Sequence, residues 1–206
     1  MLLIRLVKTM NATVFETGKD LTKAFVIQNE AEHDASAREA LLDRAMGEGR
    51  RRKSSEKLRR GRIPSAGLAF AARNEEGTLV GTVRLWDIRA GRDRSGVAVP
   101  GLLLGPLAVD PSAEGLGIGS ALMRHAIAEA ARLGHGAVLL VGDPEYYERF
   151  GFSGEKVASL AMPGPVERRR FLALELKPGH LDGAHGILAP SGRRAASEPQ
   201  VLRLTA

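Results

Sequence analysis

The sequence predicts a single α/β domain organised around one strand, one glycine-rich turn and one helix. Three observations carry that expectation. Residues 102–109 form an apolar run, and Glu114-Gly115-Leu116-Gly117-Ile118-Gly119-Ser120 follows with glycine at every second place. From there Ile118, Leu122, Ala126, Ala130 and Leu133 recur at helical spacing, with Arg124, His125, Glu129 and Arg132 on the opposite side. Pro106 interrupts the apolar run. Proline cannot donate to a strand ladder, so a central strand accepts it only at a bulge or where pairing stops.

The other elements follow in order. Residues 24–28 read as a first strand. Asp34 is placed to cap a helix running to about Met46, with Ala37, Leu41 and Ala45 on its buried face and Gly47 beyond it. A short basic helix is expected from Ser54 or Ser55 to Arg60, stopped by Gly61. Residues 68–72 and 78–86 form a hairpin around Asn74-Glu75-Glu76-Gly77, and residues 91–96 read as a polar loop. After the glycine turn and its helix come a parallel strand at 137–141 and a half-buried strand at 171–176. Residues 1–23 read as an N-terminal extension, with Met10 an alternative start, 24–182 as the domain, and 183–206 as a flexible C-terminal tail.

A strand, a glycine turn and a helix start together make a pyrophosphate cradle. Glycines let backbone N–H groups approach the anion, and the first turn of the helix adds its own unpaired N–H groups. The P-loop needs a Gly-Lys-Ser/Thr step that Gly119-Ser120 lacks. The dinucleotide fingerprint needs G-x-G-x-x-G, whereas Gly115, Gly117 and Gly119 are evenly spaced, although Asp143 stands where its acidic residue would fall. A bulge at Pro106 splays the strand from its parallel neighbour, exposing unpaired amide groups that an extended amide-bearing ligand can enter like an added strand. Bulge and cradle together point to coenzyme A.

On these residues, and on the later Tyr146-Tyr147-Glu148-Arg149-Phe150-Gly151-Phe152, the chain resembles the GNAT superfamily of N-acetyltransferases, closest to its YhbS-like bacterial branch, over residues 24–182. The resemblance implies a mixed, mostly antiparallel sheet of six to seven strands with one splayed parallel pair, flanked by helices. It implies acetyl-CoA as cosubstrate, an amine acceptor that is a small molecule or a protein, and direct transfer between the two. The family's Gln/Arg-x-x-Gly-x-Gly/Ala motif falls on Glu114 to Gly119, with Glu114 departing from the usual Gln or Arg. Cofactor contacts are thereby expected from Leu107, Ala108, Val109, Glu114, Gly115, Leu116, Gly117, Ile118, Gly119 and Ser120. The family's tyrosine, which donates a proton to the departing CoA thiolate, falls on Tyr147, with Tyr146 its competitor. The asparagine that often contacts pantetheine has no counterpart. Gly142-Asp143-Pro144 takes its place, with Asp143 suited to cap the next helix and Pro144 to begin it.

Composition narrows the chemistry. The 206 residues are 44% hydrophobic, enough for one sizeable core, and carry a net charge of +6. The absence of cysteine removes disulfides, cysteine-ligated metals and an acyl-cysteine intermediate, and fits a reducing cytoplasm. The five histidines show no ligand spacing, so no metal is expected, and no apolar run is long enough to span a membrane. Glu30, His33, Asp34, Asp87 and Glu145 are the candidate bases. None stands out, so a water-mediated base or none is expected. Residues 50–62 hold eight basic residues in thirteen. They read as a solvated helix face, with capture of an acidic substrate or the cofactor as the sharper reading. Nucleic acid is disfavoured, because no aromatic residue there offers a base-stacking surface. A non-catalytic acyl-CoA-binding module, a nucleic-acid-binding protein and a homodimer remain as alternatives.

Overall fold

The computed structural model describes residues 7–9, 12–15 and 25–195. Strands β1 (Val7–Thr9), β2 (Ala12–Phe15) and β3 (Phe25–Asn29) are followed by helices α1 (Ala35–Met46) and α2 (Glu56–Arg59). Strands β4 (Ala69–Arg73), β5 (Leu79–Arg92) and β6 (Ala98–Val109) then lead to α3 (Ile118–Arg132), β7 (Ala137–Val141) and α4 (Pro144–Tyr147). Strands β8 (Leu160–Ala161), β9 (Phe171–Glu175), β10 (Gly186–Ile187) and β11 (Ala189–Pro190) complete the chain. The main sheet has the order β1-β2-β3-β4-β5-β6-β7-β9. All its neighbours are antiparallel except β6 and β7, which pair in parallel at only two positions, Leu102 with Val138 and Leu103 with Leu139. The six strands from β3 to β9 are the mixed sheet expected from the sequence, and β1, β2 and β11 extend it.

Pro106 does what its chemistry requires. Val83 pairs with Leu107 and Leu85 with Leu104, so Gly105 and Pro106 together oppose Arg84 in a bulge. Beyond Leu103 no residue of β6 pairs with β7, and the two strands open into a wedge. The bulge is fastened from the side, because Trp86 Nε1 donates to the Gly105 carbonyl at 2.6 Å.

Each face of the sheet buries its own core. On one, Phe70, Val83, Leu85, Leu102 and Leu104 pack with Ile118, Leu122 and Ala126 of α3. On the other, Leu41 and Leu42 of α1 cover Ala71, Leu79 and Ala108, while Leu58 of α2 joins Trp86, Ile88 and Leu103. Leu122 is fully buried, a placement worth about 2 kcal/mol for one leucine.

Several expectations need correction. Strand β5 continues to Arg92, so the polar loop shrinks to the turn after it. The buried face of α1 is Arg38, Leu41 and Leu42, with Ala37 and Ala45 exposed, because Glu30 draws the Arg38 guanidinium inward. On α3 it is Ala121 and Met123, not Leu133, that join the buried residues; Leu133 lies past the helix end and is exposed. The basic helix is a single turn, preceded by a 3-10 turn at Glu48–Arg52. Residues 183–195 are not a loose tail. Arg92 and His185 exchange backbone hydrogen bonds, β10 pairs with β8, β11 pairs with β5 beyond the end of β4, and Leu188 is buried. Gly91 permits this approach, since a Cβ there would lie 2.1 Å from the His185 carbonyl oxygen. Residues 196–206, like Met10, lie outside the described residues.

Candidate active site

The end of β6 turns through Asp110, whose carboxylate accepts from the Ser112 backbone N–H and hydroxyl and is bound by Arg44 of α1. The hydrogen bonds from Arg44 and then Ser112 hold the Asp110 carboxyl below its ordinary value. This anchored turn delivers the glycine segment. Gly115 and Gly117 both have φ near +77°, a region open to glycine and costly for other residues, with Gly117 capping α3. Among the described residues, no acceptor takes up the backbone N–H groups of Gly115, Leu116, Gly117, Ile118, Gly119 or Ser120. Six unpartnered donors at the start of a fifteen-residue helix form a site suited to an anion. Glu114 differs from them: its N–H bonds the Pro111 carbonyl at 3.4 Å, and its side chain is exposed.

The cradle adjoins the wedge. Leu107 and Val109 are half-buried along the open side of β6 and pack toward the α3 core, while Ala108 is buried under α1. A Cβ on Gly119 would lie 3.5 Å from Val109 Cγ2 and 3.0 Å from the Tyr146 hydroxyl. Tyr146 therefore places its oxygen at the start of α3. Its ring is held by the Arg149 guanidinium at 4.0 Å and packs edge-on against Tyr147 at 4.9 Å.

Tyr147 is seated differently. Its ring lies against Gly142, where a Cβ would come within 2.0 Å of ring carbon Cε2, and faces Phe152 at 6.0 Å. Burial first, then the neighbouring Tyr146 and Asp143, pushes the Tyr147 hydroxyl up to about 12. Asp143 occupies the cap position of α4, but its side chain makes no capping bond and pairs with Arg170 at 3.2 Å instead. Pro144 begins α4 as expected.

The candidate bases do not gather around one point. Glu145 pairs with the exposed Arg169, and His33 lies exposed beside Asp34. Asp34 is buried, accepts from the Ala31 N–H and pairs with Arg73. Burial works to raise its carboxyl, yet these partners outweigh burial and hold it low. Asp87 accepts from the Ser65 hydroxyl at 2.8 Å. Glu30 is clasped by Arg38 and Arg84 and lines a cavity of about 540 Å³ at the start of α1. None of them is a free carboxylate poised over the bulge. No group of three metal-ligating side chains occurs among the described residues.

Sequence reasoning missed three participants: Trp86, which fastens the bulge, Gly142, which makes room for Tyr147, and Arg59. The Arg59 guanidinium lies 3.8 Å from where a Cβ on Gly105 would stand. Trp86 lies in the strand expected at 78–86, but its reach to the bulge depends on the β5–β6 register. Nothing local in the sequence marks the other two.

Comparison with known proteins agrees with this geometry. The Acetyltransferase (GNAT) family profile matches residues 35–152, more than half of the chain. The uncharacterized N-acetyltransferase YhbS of Escherichia coli strain K12 is 28% identical over 163 residues, which is 79% of this chain and 94% of that protein. A crystal structure of Escherichia coli YhbS in complex with CoA superposes with a TM-score of 0.68 at 27% identity, covering 85% of this chain and 93% of that one. A GNAT family acetyltransferase from Brucella melitensis, solved with acetyl-CoA, shares the fold with a TM-score of 0.58 at 22% identity, over 81% of this chain and 96% of that one. The splayed β6–β7 pair, the glycine cradle and these likenesses together place the chain in the GNAT family of acetyltransferases.

Proposed function

We propose that the protein transfers an acetyl group from acetyl-CoA directly to a primary amine. The observation that carries this reading is the run of unpartnered backbone N–H groups from Gly115 to Ser120, opening beside the β6–β7 wedge. Acetyl-CoA supplies an activated thioester whose acyl carbon forms a bond to the amine nitrogen as its bond to sulfur breaks. Gly115, Gly117, Gly119 and Ser120 hold the pyrophosphate, and Leu107 to Val109 receive the pantetheine amides along the open strand edge. Glu114, with its N–H engaged and its side chain exposed, takes the smallest share of that cradle. Backbone N–H groups freed near the bulge stabilise the charge that gathers on the acyl oxygen. Tyr147 stays protonated at working pH and donates toward the departing sulfur. The chain has no cysteine to carry an acyl intermediate, which favours direct transfer in a ternary complex.

The test is thiol release from acetyl-CoA with purified protein and a panel of primary amines. Release is expected only when an amine is present, with initial rates giving intersecting double-reciprocal plots. Parallel plots, or acetyl retained on the protein before any amine is added, would overturn direct transfer. Binding of acetyl-CoA without release for any amine would make the protein an acyl-CoA-binding module.

A further inference from the structure

The basic segment is not simply a solvated face. Together with α1 and the bulge it encloses a cavity of about 460 Å³, reached from the side of the sheet opposite α3. Pro106 and Trp86 form its floor. Arg50, Arg51, Arg59, Arg60 and Arg84 face it, against two carboxylates, Glu39 and Glu56. Partners outside the cavity do not restore the balance. With Arg38 included, five of six arginines share four carboxylates: Glu30 serves Arg38 and Arg84, Glu39 serves Arg38, Arg50 and Arg51, Asp43 serves Arg50, and Glu56 serves Arg59. Arg60 has no acidic partner among the described residues; its guanidinium reaches only the Arg51 carbonyl at 3.4 Å. Arg51 is two-thirds exposed and holds only a third share of Glu39.

We infer that this cavity receives the acceptor, and that the acceptor is a small amine carrying an anionic group, a carboxylate or a phosphate. The inference rests on the acetyltransferase reading and specifies its substrate class. Three arguments support it. Pro106 of the bulge lines the cavity, so an amine entering there stands beside the bulge on the face of the sheet opposite α3. The surplus guanidinium charge in a partly enclosed space rewards an anionic ligand and disfavours a cationic one. The same surplus explains how an amine loses its proton where no free base stands by. Nearby positive charge lowers the pKa of an ammonium group, so the neutral nucleophile becomes more abundant there. Arg59, whose guanidinium reaches Gly105 of the bulge, acts on the nitrogen; Arg51 and Arg60, the exposed arginines of the lining, hold the anion.

The test is made on protein saturated with CoA, so that the cradle is filled and added anions report on the cavity alone. Binding of O-phosphoethanolamine and β-alanine is compared by calorimetry with that of ethanolamine and β-alaninamide at physiological salt. At least one of the two amines carrying an anionic group is expected to bind about tenfold or more tightly than its cationic partner lacking that group, the two arms separating phosphate from carboxylate. Arg51→Ala and Arg60→Ala are expected to weaken that binding about tenfold each while leaving the CoA affinity unchanged. Arg52→Ala, on the same segment but outside the cavity lining, is the control for general surface charge and is expected to change nothing. Equal affinity for the amines with and without an anionic group, or an equal loss in all three variants, would overturn the inference. Failure of CoA itself to bind would instead overturn the acetyltransferase reading.

Discussion

Tyr146 and Tyr147 are adjacent in sequence and differ in environment, and the proposed mechanism gives them different roles on that ground. Tyr146 reaches the start of α3, where its hydroxyl meets Gly119. Tyr147 lies against Gly142, and desolvation lifts its hydroxyl to about 12, two units above an ordinary tyrosine. An acid that holds its proton so firmly is present in its donating form across the working range, so no alkaline loss of activity below about pH 11 is assigned to it. Tyr147→Phe is expected to lower kcat about 100-fold or more with little change in acetyl-CoA affinity, whereas Tyr146→Phe acts on that affinity. Steady-state kinetics with calorimetric Kd values separate the two. Equal kcat for Tyr147→Phe and the parent would remove the acid role. The raised pKa also makes folding pH-dependent. The unfolded tyrosine ionises near pH 10 and the folded one near 12, so its share of stability is intact below 10 and is lost as pH rises toward 12.

At the scale of elements, two junctions set the site. One is the bulge, which separates β6 from β7 and is fastened by Trp86. The other is the turn from β7 into α4, where Gly142 is the only residue type that leaves room for the Tyr147 ring. Gly142→Ala forces the ring or the turn to move, and crowding of this kind costs about 1–3 kcal/mol. The expected outcome is a lowered melting temperature and a kcat close to that of Tyr147→Phe, with acetyl-CoA binding retained. A variant with unchanged kcat would show that the ring's seat does not matter to the reaction. The glycine-helix junction and the Pro106 bulge were legible in the sequence because each is written in local chemistry: alternate glycines, a periodic apolar face, a proline inside a strand. The Gly142 seat was not, because the clash that demands glycine comes from a side chain five residues later, folded back on the turn.

Across the whole molecule, what was hidden in the sequence is what depends on distant partners. The exposure of Ala37 and Ala45 follows from a buried arginine that Glu30 and Glu39 together make tolerable. The docking of residues 183–195 follows from β5 outlasting β4 and leaving an edge for β11. Segment 50–62 reads as a surface helix by composition, yet Leu58 anchors it in the core and Arg50, Arg51, Arg59 and Arg60 line the cavity beside the bulge. The resulting protein has two chemically distinct approaches to one wedge. Unpartnered backbone N–H groups gather at the start of α3, the side the proposal gives to the donor, and guanidinium groups line the cavity beside the bulge, the side it gives to the acceptor.

The central claim is that the wedge and cradle hold acetyl-CoA. Calorimetric titration at physiological salt, on the parent and on Gly119→Val, tests it most directly. The substituted side chain would press on the Tyr146 hydroxyl and Val109 in the first turn of α3. Saturable one-to-one binding by the parent, weakened about tenfold or more in the variant, is the expected result. No binding by the parent, or equal binding by both proteins, would contradict the account.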